Sequence, residues 1–257
     1  MIAWDMVEEQ ENALRQKAAE QLELFLSECK IEDFQGKRIL EIGFKNGLFL
    51  DECHRVGLIP TGLEIRRDYH EAVSARFPHL DLLLYDGDIF PAPDASFDFV
   101  VSFQVLEHVC SIEHIFSECI RVLKPGGMMY HVCPNYFSFY EGHYAIIWFP
   151  FLNKSLGRTY LKLLCRDPAQ FENLNPIKPR AVARALRTCG EKIKVVSLGR
   201  AEFIDKFNRR QIDKVNQKFL RVVLKGILAI PFLKKGLLYL TARANLYYPI
   251  TVIARRL

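Results

Sequence analysis

The stretch that decides the fold is "RILEIGFKNGLFL", residues 38–50. A short apolar run, Arg38–Ile42, carries one carboxylate, Glu41. A loop bounded by Gly43 and Gly47 follows, and apolar residues at helical spacing resume at Leu48. A strand, a glycine-bounded loop and a helix in that order expose backbone N–H groups at a helix N-terminus, where nucleotide-type ligands bind. The glycines permit a tight turn and close backbone approach. Lys45 sits at the centre of the loop, where a third glycine is expected.

The alternation continues downstream. Leu48–Val56 reads as a helix ended by Gly57, and "LIPTGLEI" as a second strand. Arg67–Arg76 is a helix stopped before Pro78, and "LDLLLY" a third strand. "FDFVVSF" is a fourth, Ile112–Leu123 a helix ending at "KPGG", and "MMYHVCPN" a fifth strand. Pro179–Cys189 is a helix, "KIKVVSL" a sixth strand, and "YYPITVIARRL" a last one. Upstream, Trp4–Cys29 has apolar residues near a helical period. Strands alternating with helices imply βαβ units, a parallel sheet and helices on both faces. Such a sheet binds ligands at the carboxyl ends of its strands.

The 257 residues, half of them hydrophobic, are read as one domain. Residues 1–30 form its N-terminal helix, and 199–247 a basic apolar helical segment. Residues 136–178, long, aromatic and punctuated by Pro and Asn, form a helical cap over the substrate pocket. "MIAWDMVEEQ" does not read as a signal peptide, and seven scattered cysteines without a C-x-x-C pair fit reduced thiols in a cytoplasmic setting. The net charge of +5 is uneven. From Gly199 to Leu257 there are 13 Lys/Arg against 3 Asp/Glu, and in the rest of the chain 22 against 27. The basic segment is either a helical layer with a solvated face or a surface that touches an anionic membrane or substrate at the inner membrane face.

Three carboxylates fall at strand ends: Glu41, Glu64 about twenty residues on, and Asp88 in "YDGDIF". An acid ending the second strand suits paired ribose hydroxyls, and one at the third strand end can accept from an exocyclic amine.

Taken together, "ILEIGFKNGLFL", "PTGLEI", "YDGDIFPAPDASFDFVVSFQVLEHV" and "RVLKPGGMMYHVCPN" resemble the class I S-adenosylmethionine-dependent methyltransferases over roughly Arg38 to Asn135. "SFDFVVSFQVLEHV" followed by "LKPGG" is the specific part. The resemblance implies a Rossmann-like α/β fold, a seven-stranded sheet with an antiparallel last strand. It implies S-adenosylmethionine as cofactor. Glu41 and the loop Gly43, Phe44, Lys45 and Gly47 would face its methionine end. Glu64 would hold the ribose, Ile65 and Ile89 would lie against the adenine, and Asp88 would meet the adenine amine. Gln104 would line the methyl-transfer mouth. Lys45 departs from the family's Gly-x-Gly-x-Gly. It either crowds the cofactor, turns aside, or faces the cofactor carboxylate.

The reaction implied is methyl transfer to a small-molecule acceptor, sugar-linked or lipid-linked, with O-methylation preferred. Candidate bases are His108 in "VLEHV" and Glu141 with His143 in "YEGHY". "QVLEH" also resembles methyltransferases with a Glu-x-x-Glu-His metal site. Gln104 replaces the first acid, so no metal is assigned, although Glu107, His108 and His143 remain potential ligands. Two alternatives stay open: a non-catalytic member that uses the fold as a binding module, and an RNA-directed enzyme. No RNA-binding motif or N-P-P-Y-type signature supports the second.

Overall fold

Arg38–Ile42 forms β1 because four successive buried residues need covering on both sides, which only a central strand provides. The computed structural model describes residues 2–208, 236 and 239–257. Around β1 lie β2 (Ile59–Glu64), β3 (Asp81–Leu84), β4 (Phe97–Phe103) and β5 (Leu123–Cys133), all parallel. A hairpin, β6 (Tyr140–Glu141) and β7 (Ile146–Ile147), stands apart. β8 (Ile193–Ser197) and β9 (Ile250–Arg256) complete the main sheet in the order β3-β2-β1-β4-β5-β9-β8. β9 is antiparallel to both its neighbours. Strand order reverses between β1 and β4, which opens a crevice at their carboxyl ends.

The pleat sorts alternate residues into two cores. Ile39, Val101 and Tyr130 face α1 (Ile2–Glu28), α2 (Leu48–Arg55) and α3 (Arg67–Arg76). Leu40, Val100 and Met129 face α4 (Ile112–Val122) and α7 (Pro179–Thr188). α1 joins its core through Ala18, Leu22 and Phe25, and the Tyr130 hydroxyl donates to Glu28 at 2.8 Å. Short helices α5 (Lys154–Leu163) and α6 (Ala169–Glu172) precede α7, and α8 (Arg200–Asn208) follows β8.

Three expectations need adjustment. The fifth strand starts at Leu123 rather than Met128, and the "KPGG" stretch belongs to it through a register shift against β4. Gly127 is required there, because a Cβ would stand 2.9 Å from the Asp98 and Lys124 carbonyl oxygens. The segment 136–178 is only partly helical: its first part is the β6–β7 hairpin, where Ile146, Ile147 and Trp148 follow a tight turn with Ala145 at φ 51°. Of the basic apolar stretch 199–247, residues 209–235, 237 and 238 lie outside the described residues.

Candidate active site

Glu41 is the penultimate residue of β1 and is buried, 5 % exposed. Its Oε2 has no hydrogen-bond partner. Burial first, and then the nearby Glu64, push its carboxyl well above the usual range. An unpaired buried acid is costly, so a site that keeps one is built for a donor or cation that arrives from outside.

The loop after β1 wraps tightly. Gly43 has φ 75°, and a Cβ there would come within 2.7 Å of Val105 Cγ2. Phe44 is buried in the α1–α3 core, so only its backbone faces the loop. Lys45 adopts φ 47°, the left-handed conformation a glycine would take at no cost, and is exposed. Its backbone N–H donates to Glu64 Oε2 at 3.3 Å. The side chain therefore projects to solvent, while the main chain is held to the end of β2. Gly47 caps α2 at φ 72°.

Glu64 is 5 % exposed, and its Oε1 accepts from Ile65 N at 2.9 Å and Arg66 N at 3.0 Å. These bonds fix the carboxylate and orient its remaining lone pairs. Beyond it opens a groove of about 570 Å³ lined by Ile65, Arg67, Leu84, Tyr85, Asp86, Ile89 and Pro91. Ile65 and Ile89 are 56 % and 62 % exposed and line the same groove, where their apolar faces can meet a flat ring. Asp88 is exposed, and His114 contacts both its Oδ1 at 3.2 Å and its carbonyl at 2.8 Å. Asp86, which accepts from Asp88 N at 3.1 Å, lines the groove itself. Sequence reasoning named Asp88 and missed Asp86. The two acids flank Gly87 in "YDGD", and only the turn shows which one faces inward.

Gln104 follows β4 in a left-handed conformation, φ 57°, and is exposed at the crevice. Three residues on, Glu107 is fully buried and neither carboxylate oxygen has a partner. Burial raises it to about 7. His143 reaches it from the hairpin turn, with Nε2 3.9 Å from Glu107 Oε1. His143 Nδ1 meets Glu141 Oε1 at 2.9 Å. Glu141 also accepts from the Tyr136 hydroxyl at 3.1 Å and from Tyr144 N at 2.7 Å. Burial works against the Glu141 charge, but these bonds outweigh it and hold its carboxyl below the usual range. The bond to Glu141 in turn raises His143 despite partial burial. His108 is exposed, and partial desolvation together with His143 lowers it. Glu107, His108 and His143 each offer one ligand atom, all within 4.8 Å of one another.

The cap is pinned over this edge. Asn175 donates from N to the Glu107 carbonyl at 2.7 Å and from its side chain to Val109 O at 2.8 Å. Asn135 ties the end of β5 to Asn245 O at 3.0 Å. The cap has its own core of Tyr136, Ile146, Trp148, Leu161, Phe171 and Leu174. Tyr136 and Trp148 are thus packing residues, whereas Phe139, Tyr140 and Phe149 keep exposed surface.

A family model described as a methyltransferase domain matches residues 40–131. Residues 40–131 are thus similar to that family of methyltransferase domains. A probable S-adenosylmethionine-dependent methyltransferase from Mycolicibacterium smegmatis is 40 % identical over 111 residues, 42 % of either chain. A ubiquinone biosynthesis O-methyltransferase from Maricaulis maris is 31 % identical over 101 residues, 37 % of this chain and 40 % of that one. The chain thus aligns with about two fifths of the length of these relatives. Among solved structures, an S-adenosylmethionine-dependent methyltransferase from Mesorhizobium loti superposes with a TM-score of 0.55 at 18 % identity, covering 88 % of this chain and 94 % of that one. That likeness concerns the fold.

The strand edge within residues 40–131 fits S-adenosylmethionine on three observations of its own. Glu41 Oε2 lacks a donor, the Gly43 backbone leaves no space for a Cβ beside Val105, and Ile65 and Ile89 line a groove of about 570 Å³. The matched range ends at residue 131, so the Glu141–His143 pair lies outside the methyltransferase domain model and belongs to this chain's own cap.

Proposed function

We propose that the protein is an S-adenosylmethionine-dependent methyltransferase that methylates a hydroxyl oxygen of a small-molecule acceptor, sugar-linked or lipid-linked. The observation that carries the acceptor half is His143, held between Glu141 at 2.9 Å and Glu107 at 3.9 Å, at the same strand edge as Gln104. Glu41 and the Gly43–Gly47 backbone would hold the methionine portion, Glu64 the ribose, and Ile65, Ile89 and Asp86 or Asp88 the adenine. When bound, S-adenosylmethionine supplies an electrophilic methyl group.

The chain's own residues supply alignment and a proton acceptor. With Nδ1–H donating to Glu141, the neutral His143 ring presents the Nε2 lone pair toward the crevice. An acceptor hydroxyl entering beside Glu107 gives its proton to Nε2 as the oxygen becomes nucleophilic. Glu141 then stabilises the imidazolium through the bond it already makes. The Asn175 tie holds the cap beside Glu107, where this exchange would take place.

The experiment is a binding and transfer pair. Calorimetry with S-adenosylhomocysteine tests the cofactor half, and a panel of hydroxylated and amine acceptors with labelled cofactor tests the other. Methylation of amines alone would remove His143 as a hydroxyl base. A second reading rests on the 4.8 Å clustering of Glu107, His108 and His143: a divalent ion there would give the unpartnered Glu107 carboxylate a ligand bond. Activity that a chelator abolishes and added metal restores would favour it. The basic segment within 199–247 extends the proposal to a peripheral, cytoplasmic-face enzyme whose acceptor is anionic or membrane-borne.

A further inference from the structure

We propose that the cap docks on an anionic lipid bilayer through an apolar ridge made of Phe149, Phe151 and one side of α5. This goes beyond the reaction proposed above and uses none of its catalytic residues. Phe151 is 75 % exposed, Leu156 52 % and Leu163 78 %. They form one surface. The Phe151 and Phe149 rings lie 5.7 Å apart, and Phe149 lies 5.4 Å from Tyr160 in an edge contact. Tyr160 is four residues after Leu156 and three before Leu163, so the three share a helical stripe. The cap core takes the other side of the helix, where Gly157 and Leu161 are buried. Tyr160 leans on Trp148 of the cap core, and Leu156 and Leu163 on either side of it stand exposed.

The charge around the ridge selects the occupant. Residues 154–166 contain Lys154, Arg158, Lys162 and Arg166 and no acid. Arg158 pairs with Glu172 at 2.9 Å, and among the described residues the other three form no ion pair. On the helical wheel Lys154 and Lys162 stand across Ser155 and Thr159 from the apolar stripe. Bulky apolar side chains on one flank and unopposed cations on the other are the pattern of a helix lying in a lipid–water interface. A second copy fits poorly, because a two-fold contact would set these like charges against themselves. A protein partner fits poorly too, because lysine is depleted in such interface cores. No helix among the described residues is long and apolar enough to cross a membrane, so the contact is peripheral.

The test uses the full chain and vesicle flotation. Vesicles contain phosphatidylcholine alone or with about 30 % phosphatidylglycerol, enough to set a substantial negative surface potential. The wild type should float with the anionic vesicles and stay behind with the neutral ones. The double variant Phe151→Ser/Leu163→Ser should lose about tenfold in partitioning, and Lys154→Glu/Lys162→Glu a similar factor. Both pairs are exposed, so melting temperature and S-adenosylhomocysteine binding should stay at wild-type values, which separates a failed ridge from a failed cofactor site. Unchanged flotation of both variants would overturn the proposal and assign any binding to the segment over 209–235. A wild-type dimer in solution that Phe151→Ser/Leu163→Ser converts to monomer, without flotation, would overturn it in favour of self-association.

Discussion

Glu41→Gln separates stability from ligand binding in a way that only an unpaired buried carboxylate explains. The ordinary value of the group is 4.5, and burial raises it well above that in the folded chain. A folded-state value above the unfolded one means that the acid's contribution to stability is complete below 4.5 and is lost as pH rises toward the raised value. Keeping Glu41 protonated costs more the further the pH rises above 4.5 toward the raised value. The amide carries no such cost. Glu41→Gln should therefore melt near the wild type at about pH 5 and above it at about pH 7. Binding should move the other way. The ligand needs the ionised acid, so wild-type affinity for S-adenosylhomocysteine should improve as pH rises from the ordinary 4.5 toward the raised value. Glu41→Gln should bind about 10- to 150-fold more weakly at about pH 7.5, the worth of a hydrogen bond to a charged group, and lose that slope. The assays are thermal melting of the free protein and calorimetry, both across pH. A variant that melts below the wild type at pH 7, or that binds with the wild-type slope, would refute the reasoning.

Further outcomes follow from the same geometry. Gly43→Ala places a Cβ 2.7 Å from Val105 Cγ2 at φ 75°, so it should cost about 1–3 kcal/mol in denaturant unfolding and weaken cofactor binding, with part of the steric loss restored by Val105→Ala. Lys45→Gly relieves a left-handed residue and removes an exposed ammonium, so cofactor affinity should fall by no more than about fivefold, the range of an exposed ion pair. A large gain in affinity would show instead that the side chain obstructs. His143→Ala should leave S-adenosylhomocysteine binding within about twofold and cut turnover by at least about 100-fold, read by separate calorimetric and transfer assays. Because Glu141 raises His143, the neutral base accumulates only above the ordinary 6.5, so the rising limb of the turnover profile should lie above that value and shift down in Glu141→Gln.

The sheet was readable because its strands are short apolar runs bounded by turn residues. Arg38–Ile42, Arg67–Arg76 and Phe97–Phe103 have the bounds their patterns predict. The strand-end acids were readable for the same reason, since a parallel sheet delivers every strand's carboxyl end to one edge. What stayed hidden depends on long-range contact. Glu107 reads with His108 and His143 as a potential ligand, but its full burial without a hydrogen-bond partner is not visible until the fold brings the Asn175 segment and the hairpin turn against it. Phe44 stands beside loop residues, yet its ring belongs to the core under α2. Lys45 looked like a misfit in a glycine loop. The structure turns its backbone left-handed, as a glycine would, and sends the side chain outward. The hairpin in the cap was concealed because "YEGHYAII" is short, and its aromatic and β-branched residues fit strand or helix until the turn is seen.

The central claim is that the edge formed by Glu41, Gly43, Glu64 and the Ile65–Ile89 groove seats S-adenosylmethionine. Calorimetric titration of the full chain with S-adenosylhomocysteine at about pH 7.5 tests it most directly. One site per chain is expected, with a dissociation constant in the micromolar range, about 8 kcal/mol of binding free energy. An absence of heat up to millimolar ligand, from protein whose melting curve is cooperative, would contradict it.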